Sequence, residues 1–382
     1  MFQIFPWDEG MLTLRDYYNI SLGVTIFCTP LALIGIFTNS AAIAVFLRMR
    51  RSVTSTYFIL VTFIDLGYLL LIFPYSVITL VLGHRLAACS YVNLIFFLYL
   101  NYFAGSALRK LSNCVTMMIS LDRCFVIAFP VKARAFQHLR KPKLYVLCFA
   151  CLSFLLRVFS LMKYRIVRVH DPQGECSGDF VASQFYLDTV QNGVAFIVDT
   201  ARYVLFTYIP VTSMALASMS MIYILARHSK RNKESYQQHQ APATTVRNSV
   251  DLQMTAGADP QSTASVGPQD SDMSKSSMRA KGPEATSTPF FQLSRQQSLT
   301  VLVYTIFFLL LALPDSLQIL LKLYIPGFFI GGKEMYLVTT ASVIYFLLDV
   351  VSSAMNFFVY IASGSLFRAE VCRLLRQMFR CK

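Results

Sequence analysis

Hydrophobic positions in this chain gather into seven long runs, at roughly 22–47, 56–82, 91–126, 144–164, 190–226, 299–323 and 335–361. Each run can cross a hydrocarbon core of ~30 Å, which takes ~20 helical residues. Helices are the expected form, because lipid offers no partners to backbone N–H and C=O groups. A few ionisable residues interrupt the runs: Asp65, Arg109 and Lys110, Asp199, Arg202, Asp315 and Asp349. Such residues are costly in lipid and are expected to face the bundle interior. The last run is followed by "SGSLFRAEVCRLLRQMFRCK", with Phe367, Val371, Leu374, Leu375 and Met378 at helical spacing among arginines. The pattern predicts an all-α membrane protein, a seven-transmembrane helix bundle with a short amphipathic eighth helix along one leaflet.

Composition supports a membrane protein. The chain is 55% hydrophobic and 14% charged, whereas a soluble domain is about 25% charged. The formal net charge of +14 is explained by where the basic residues lie. Arg48, Arg50 and Arg51 follow the first run, and Lys132, Arg134, Arg140, Lys141 and Lys143 follow the third. The segment after the fifth run and the C-terminus are also basic. Basic loops stay cytoplasmic, so the N-terminus is expected outside the plasma membrane and the C-terminus inside, with no need of nucleic acid as a partner. The predicted organisation is an extracellular N-terminus at 1–21, a helical domain at 22–361 and a helix and tail at 362–382. Residues 229–297, rich in Ser, Thr, Gln, Pro and Ala, are expected to be a disordered third cytoplasmic loop, having too little apolar surface to offset ordering. Residues 1–18 contain Asp8, Glu9, Arg15 and Asp16 and do not read as a cleavable signal peptide.

Smaller signals carry candidate modifications. Asn19-Ile20-Ser21 is a glycosylation sequon. Cys372 and Cys381 lie on the amphipathic tail, where palmitoylation and a free thiol are both open. Ser298 follows Arg295, a weak kinase context. Cys148 and Cys151 read C-x-x-C inside an apolar run and are expected to be buried helix cysteines rather than metal ligands. No nucleophile–base set or metal-ligand spacing points to an enzyme.

The intramembrane motifs narrow the class. "SLDRCFVIAFPVKAR" closes the third run and "NFFVY", Asn356 to Tyr360, closes the seventh. Asp65 is central in the second, Asn39 lies in the first, Pro210 in the fifth and Pro314 in the sixth. Together these landmarks resemble the rhodopsin-like G-protein-coupled receptors. The resemblance covers nearly the whole chain outside the tails and residues 229–297, and the stretch "ISLDRCFVIAFPVKAR" is similar to lophotrochozoan chemosensory or orphan peptide-type receptors. It implies an extracellular ligand, either a small chemosensory molecule or a short peptide, and a heterotrimeric G protein as partners. Asp122 and Arg123, with Asn356 and Tyr360, would form the G-protein switch. Asp65, Asn39, Ser112, Ser352 and Asn356 match the cluster that binds sodium in many relatives. A protonated Asp65 bonded to Asn356 is the other reading. The resemblance also implies a disulfide at the outer end of the third helix, here between Cys89 and Cys176. No organic cofactor is implied.

The departures matter as well. Ala312 replaces the usual tryptophan before Pro314, Phe357 replaces the proline after Asn356, and Ser294 and Arg295 stand where an acid restrains the switch arginine. The hold on Arg123 is therefore expected to come mainly from Asp122, giving a receptor with basal activity. By the same resemblance, Gly105 and Val350 occupy the positions of the amine-binding acid and the retinal lysine, so neither an aminergic receptor nor a photoreceptor is supported. Arg109 lies ~21 Å along the helix from Arg123 at 1.5 Å per residue, on the inward stripe with Ser112. It is expected either to contact ligand or to pair with Asp315 or Asp349, and Lys110 to pair with Asp199. Asp315, Gln318, Arg202 and Asp349 complete the expected ligand pocket, with Lys322 nearby. A seven-helix channel or transporter is the alternative class.

Overall fold

The computed structural model describes residues 14–49, 52–83, 86–87, 90–135, 141–168, 178–240, 289–325 and 335–380. Seven helices among these residues are long and apolar enough to cross a membrane. They are α1 (Leu14–Arg48), α2 (Val53–Leu82), α3 (Tyr91–Ala128), α4 (Pro142–Leu161), α5 (Val194–Arg231), α6 (Pro289–Tyr324) and α7 (Met335–Ala354). After a break at Met355 the last span resumes over Asn356–Ser363, and the amphipathic α8 follows at Ser365–Arg380. This is the seven-helix bundle with an eighth helix.

The polarity is the reverse of a soluble core. Phe27, Phe37 and Phe63 are more than 60% exposed, while Asp65 and Asn39 are fully enclosed. Apolar side chains can meet lipid, but a carboxylate needs polar neighbours, and only the bundle supplies them. The seam between α1, α2 and α7 is built on Cys28, Ala32, Leu69, Ile72 and Val350. Gly35 makes it close: a Cβ there would stand 2.6 Å from Leu69 Cδ1 and 2.8 Å from Ala354 Cβ. Small residues let membrane helices approach in this way.

Several boundaries differ from expectation. α1 begins at Leu14 rather than 22, so Asn19 is helical and the sequon's Ser21 is buried. The helix containing α5 runs on to Gln240, and α6 starts at Pro289. Residues 229–240 and 289–297 are thus helical, not part of a disordered loop. Lys, Glu, Gln and Arg are good helix formers and carry α5 past its apolar run. Residues 222–295 cluster as a unit separate from the rest. The fifth run is split, because Gly193 adopts φ 70° between a short helix, Gln184–Gln191, and α5. A two-stranded antiparallel hairpin joins α4 to that helix: β1 (Tyr164–Arg168) pairs with β2 (Gly178–Ala182), Ile166 opposite Phe180. Cys148 and Cys151 are exposed on α4 rather than buried.

α7 breaks at Met355 even though Phe357 stands in place of proline. Side chains of α1 supply the reason. Asn39 Nδ2 donates to the carbonyl of Ser353 at 2.8 Å, and Thr38 Oγ1 to that of Ala354 at 3.3 Å. Donors inserted into the i→i−4 ladder interrupt a helix as proline does.

Candidate functional site

Polar side chains line the bundle in three groups. The central one surrounds Asp65. Asn356 Nδ2 donates to Asp65 Oδ2 at 2.6 Å and Ser353 Oγ donates to Oδ1 at 3.3 Å. Asn356 also reaches Asn39 Oδ1 at 3.4 Å. The side chains of Ser112 and Ser352 are both buried. Ser353, not the expected Ser352, reaches the carboxylate. A helix turns ~100° per residue, so only one of two adjacent serines can face Asp65.

Arg109 reaches into this group. Its Nε donates to Asp349 Oδ1 at 2.7 Å and its Nη1 to Ser353 Oγ at 3.4 Å, while the guanidinium lies 4.8 Å from the centre of the Phe308 ring. Phe308 thus provides an aromatic face one turn from Ala312, where the family's tryptophan is missing. Arg109 is therefore linked to Asp65 through one shared hydroxyl. Its pairing with Asp349, one of the two carboxylates foreseen, joins α3 to α7. Lys110 takes the other, with Nζ 2.7 Å from Asp315 Oδ2. The expected Lys110–Asp199 pair does not form. Asp199 is already engaged, by Lys163 at 2.5 Å and Arg202 at 3.1 Å. Gln318 is a clasp rather than an open pocket group: its Nε2 donates to Val338 O at 3.0 Å and Ser342 Oγ at 2.8 Å. The Lys322 side chain lies outside the described residues.

The second group lies at the end of the bundle that holds Arg123. Arg123 Nη2 is 3.0 Å from Asp122 Oδ2, and both side chains are under 10% exposed. Nη1 donates to Gln297 Oε1 on α6 at 3.4 Å. One helical turn deeper, the hydroxyls of Ser120 and Thr305 meet at 2.7 Å. These two contacts tie α3 to α6. Beside them Tyr360 stacks on Tyr304 at 5.6 Å, meets Phe58 at 5.0 Å and Phe46 at 5.1 Å, and lies 3.3 Å from the Thr62 hydroxyl. Phe367 of α8 closes on Phe46 at 4.9 Å. One aromatic cluster therefore joins α1, α2, α6, the end of the seventh span and α8.

The residue range in which these features fall decides the class. Residues 38–360 match the family described as 7 transmembrane receptor (rhodopsin family). The chain belongs to the rhodopsin family of seven-transmembrane receptors. No curated protein matches it in a sequence comparison. Members of the family are multi-pass membrane receptors, not enzymes, and in general they join an extracellular ligand to a G protein.

The third group of this receptor lies at the opposite end, beside the β1–β2 hairpin. Arg157 and Ser160 of α4, Lys163 just beyond it, and Asp199 and Arg202 of α5 are its polar members. Arg202 bonds to Ser160 Oγ. Tyr164 of the hairpin meets Tyr102 of α3 edge-on at 6.1 Å, and burial pushes the Tyr164 hydroxyl up to about 12. A nine-residue π segment, Phe97–Gly105, carries Tyr102, and a second, Val204–Tyr208, follows Arg202. Wide turns of this kind re-aim the side chains of α3 and α5 and recur at functional sites.

Arg157 and Lys163 were not singled out from the sequence. Both sit at the end of an apolar run, where a snorkelling cation is an ordinary occurrence. Gln297 and the Ser120–Thr305 contact were also missed, being neutral residues with no periodic signature. Cys89 and Cys176, expected to pair, and Cys381 lie outside the described residues. Cys372 is exposed on α8. Ser298 is wholly buried, so the weak kinase site is closed to solvent.

Proposed function

We propose that this receptor binds an extracellular ligand among the helices at the hairpin end and activates a heterotrimeric G protein at the Arg123 end, from the plasma membrane with its N-terminus outside. The observation that carries the reading is the hold on Arg123. A buried arginine needs partners, and it can exchange them when helices part. Here the partner on its own helix is a carboxylate, Asp122, whereas the partner across the gap to α6 is the neutral amide of Gln297 at 3.4 Å. A neutral acceptor holds a guanidinium less firmly than a charge-assisted one, so a fraction of the receptor is active without ligand. Cells displaying the full chain are expected to give G-protein dissociation above empty cells in a panel of G-protein subtypes. Gln297→Glu should lower that signal by roughly fivefold, as expected for about 1 kcal/mol of added hold on the resting state. Equal signals from empty and expressing cells at proven surface display would overturn the reading.

The same reading assigns Arg109 the place that sodium takes in many relatives. The sodium ligand set does not fit well here. Both Asp65 oxygens already accept hydrogen bonds, and a guanidinium shares Ser353 with that carboxylate. A second cation beside it would be repelled in a low-dielectric interior. Replacing sodium chloride by choline chloride at constant ionic strength is expected to leave basal signalling and melting temperature unchanged. A sodium-specific rise in melting temperature that disappears in Asp65→Asn would return the site to the ion.

A further inference from the structure

Among the described residues the hairpin-end group is out of charge balance. Three cations, Arg157, Lys163 and Arg202, surround one carboxylate, Asp199. Lys163 and Arg202 share that carboxylate, at 2.5 Å and 3.1 Å. Arg157 is only 8% exposed, and among the described residues it bonds to no carboxylate. Its guanidinium lies 5.9 Å from the Tyr102 ring centre, and its charged and phenolic neighbours are Arg202, Tyr102, Tyr203 and Asp199. Arg202 Nε is also buried without a partner. Among the described residues two positive charges are thus left over in an enclosed, ring-lined space. A buried charge without a counter-charge costs several kcal/mol, and in a membrane protein such groups mark ligands or pairs.

We propose that Arg157, Arg202 and Lys163 form a binding site for a small organic carboxylate with a flat apolar body. The guanidinium fork of Arg157 matches a carboxylate in geometry and charge. The rings around the cations suit a flat apolar body. Tyr102 lies beside Arg157, Tyr203 lies 5.0 Å from the Arg202 guanidinium, and Tyr186 lies 5.1 Å from Lys163 Nζ. An amine is excluded by the excess of like charge. Two uncompensated cations favour a dicarboxylate over a monocarboxylate. The site names the ligand class for the receptor reading given above and rests on it for its physiological role, but its occupancy can be read without any G protein.

The test uses the purified full chain in phosphatidylcholine nanodiscs, with melting temperature as the readout. Phthalate is expected to raise it most, benzoate less, and the neutral benzamide and the cationic benzylammonium not at all. Arg157→Gln should abolish the phthalate shift. Arg157→Lys, which keeps the charge but loses the fork, should weaken half-saturation by ~10-fold. If Arg157→Gln does not fold, Lys163→Gln supplies the second variant and should also weaken the shift. Equal shifts with phthalate and benzamide would overturn the proposal, as would a phthalate shift that survives Arg157→Gln. Stabilisation by phosphatidylserine nanodiscs with no phthalate shift would also overturn it, assigning the cations to a lipid headgroup. A phthalate shift in a chain that shows no G-protein activation would uphold the site and reject the signalling reading, and the reverse result would do the opposite.

Discussion

Arg109→Ala is expected to destabilise the receptor by about 3 kcal/mol, the lower part of the range for removing one partner of a buried ion pair. The guanidinium side chain is 4% exposed and Asp349 28% exposed, at 2.7 Å. The stranded carboxylate is only partly enclosed, which places the effect at the low end. The same change removes the donor to Ser353 and the stacking on Phe308. Replacing both charges by apolar residues of similar size, Arg109→Met with Asp349→Leu, should recover most of the loss, because desolvation of the pair offsets much of its attraction. The neighbouring Lys110–Asp315 pair at 2.7 Å remains in both variants, although close pairs do not add independently. Melting of purified receptor in nanodiscs checks this. A double variant as unstable as Arg109→Ala would show that Arg109 contributes through Ser353 and Phe308 rather than through Asp349.

Arg123→Ala is expected to reduce G-protein activation to the level of empty cells, with surface display retained. Arg123 is buried at the end of α3, with the Asp122 carboxylate 3.0 Å away. Asp122→Asn should act in the opposite direction and raise ligand-independent activation severalfold. It replaces a charge-assisted bond by a neutral one, a difference of about 1 kcal/mol or more. The arginine then leaves its resting position more readily. The opposed signs of the two variants separate a switch from an arginine that only packs. If both variants lost activity in parallel with surface display, the pair would be structural.

How much of the site could be read in the sequence differs from group to group. The switch arginine was legible because Asp122 and Arg123 are adjacent, and no packing is needed to bring them together. Asp65, Asn39 and Asn356 were legible because a lone polar group in an apolar run has few places to go. The choice of Ser353 over Ser352 was not, since it depends on the helical phase of α7 to within one residue. That phase is affected by the break at Met355, which Asn39 and Thr38 impose from another helix. Arg109 could be placed on the inward stripe by spacing alone, but its partner could not be chosen between Asp315 and Asp349.

The chain order of apolar runs determined the seven spans and the eighth helix, because lipid cannot satisfy a bare backbone and leaves one conformation open to a long apolar run. Landmark residues inside those runs determined the family. Tertiary structure alone decided which charges meet. Lys110 was expected to reach Asp199, yet it pairs with Asp315, and Asp199 is held between Lys163 and Arg202. Side chains of different helices meet according to helix rotation, depth and the wide turns of α3 and α5, none of which has a fixed period in the sequence. The excess of cations beside the hairpin is visible for the same reason only once α4 and α5 are packed together.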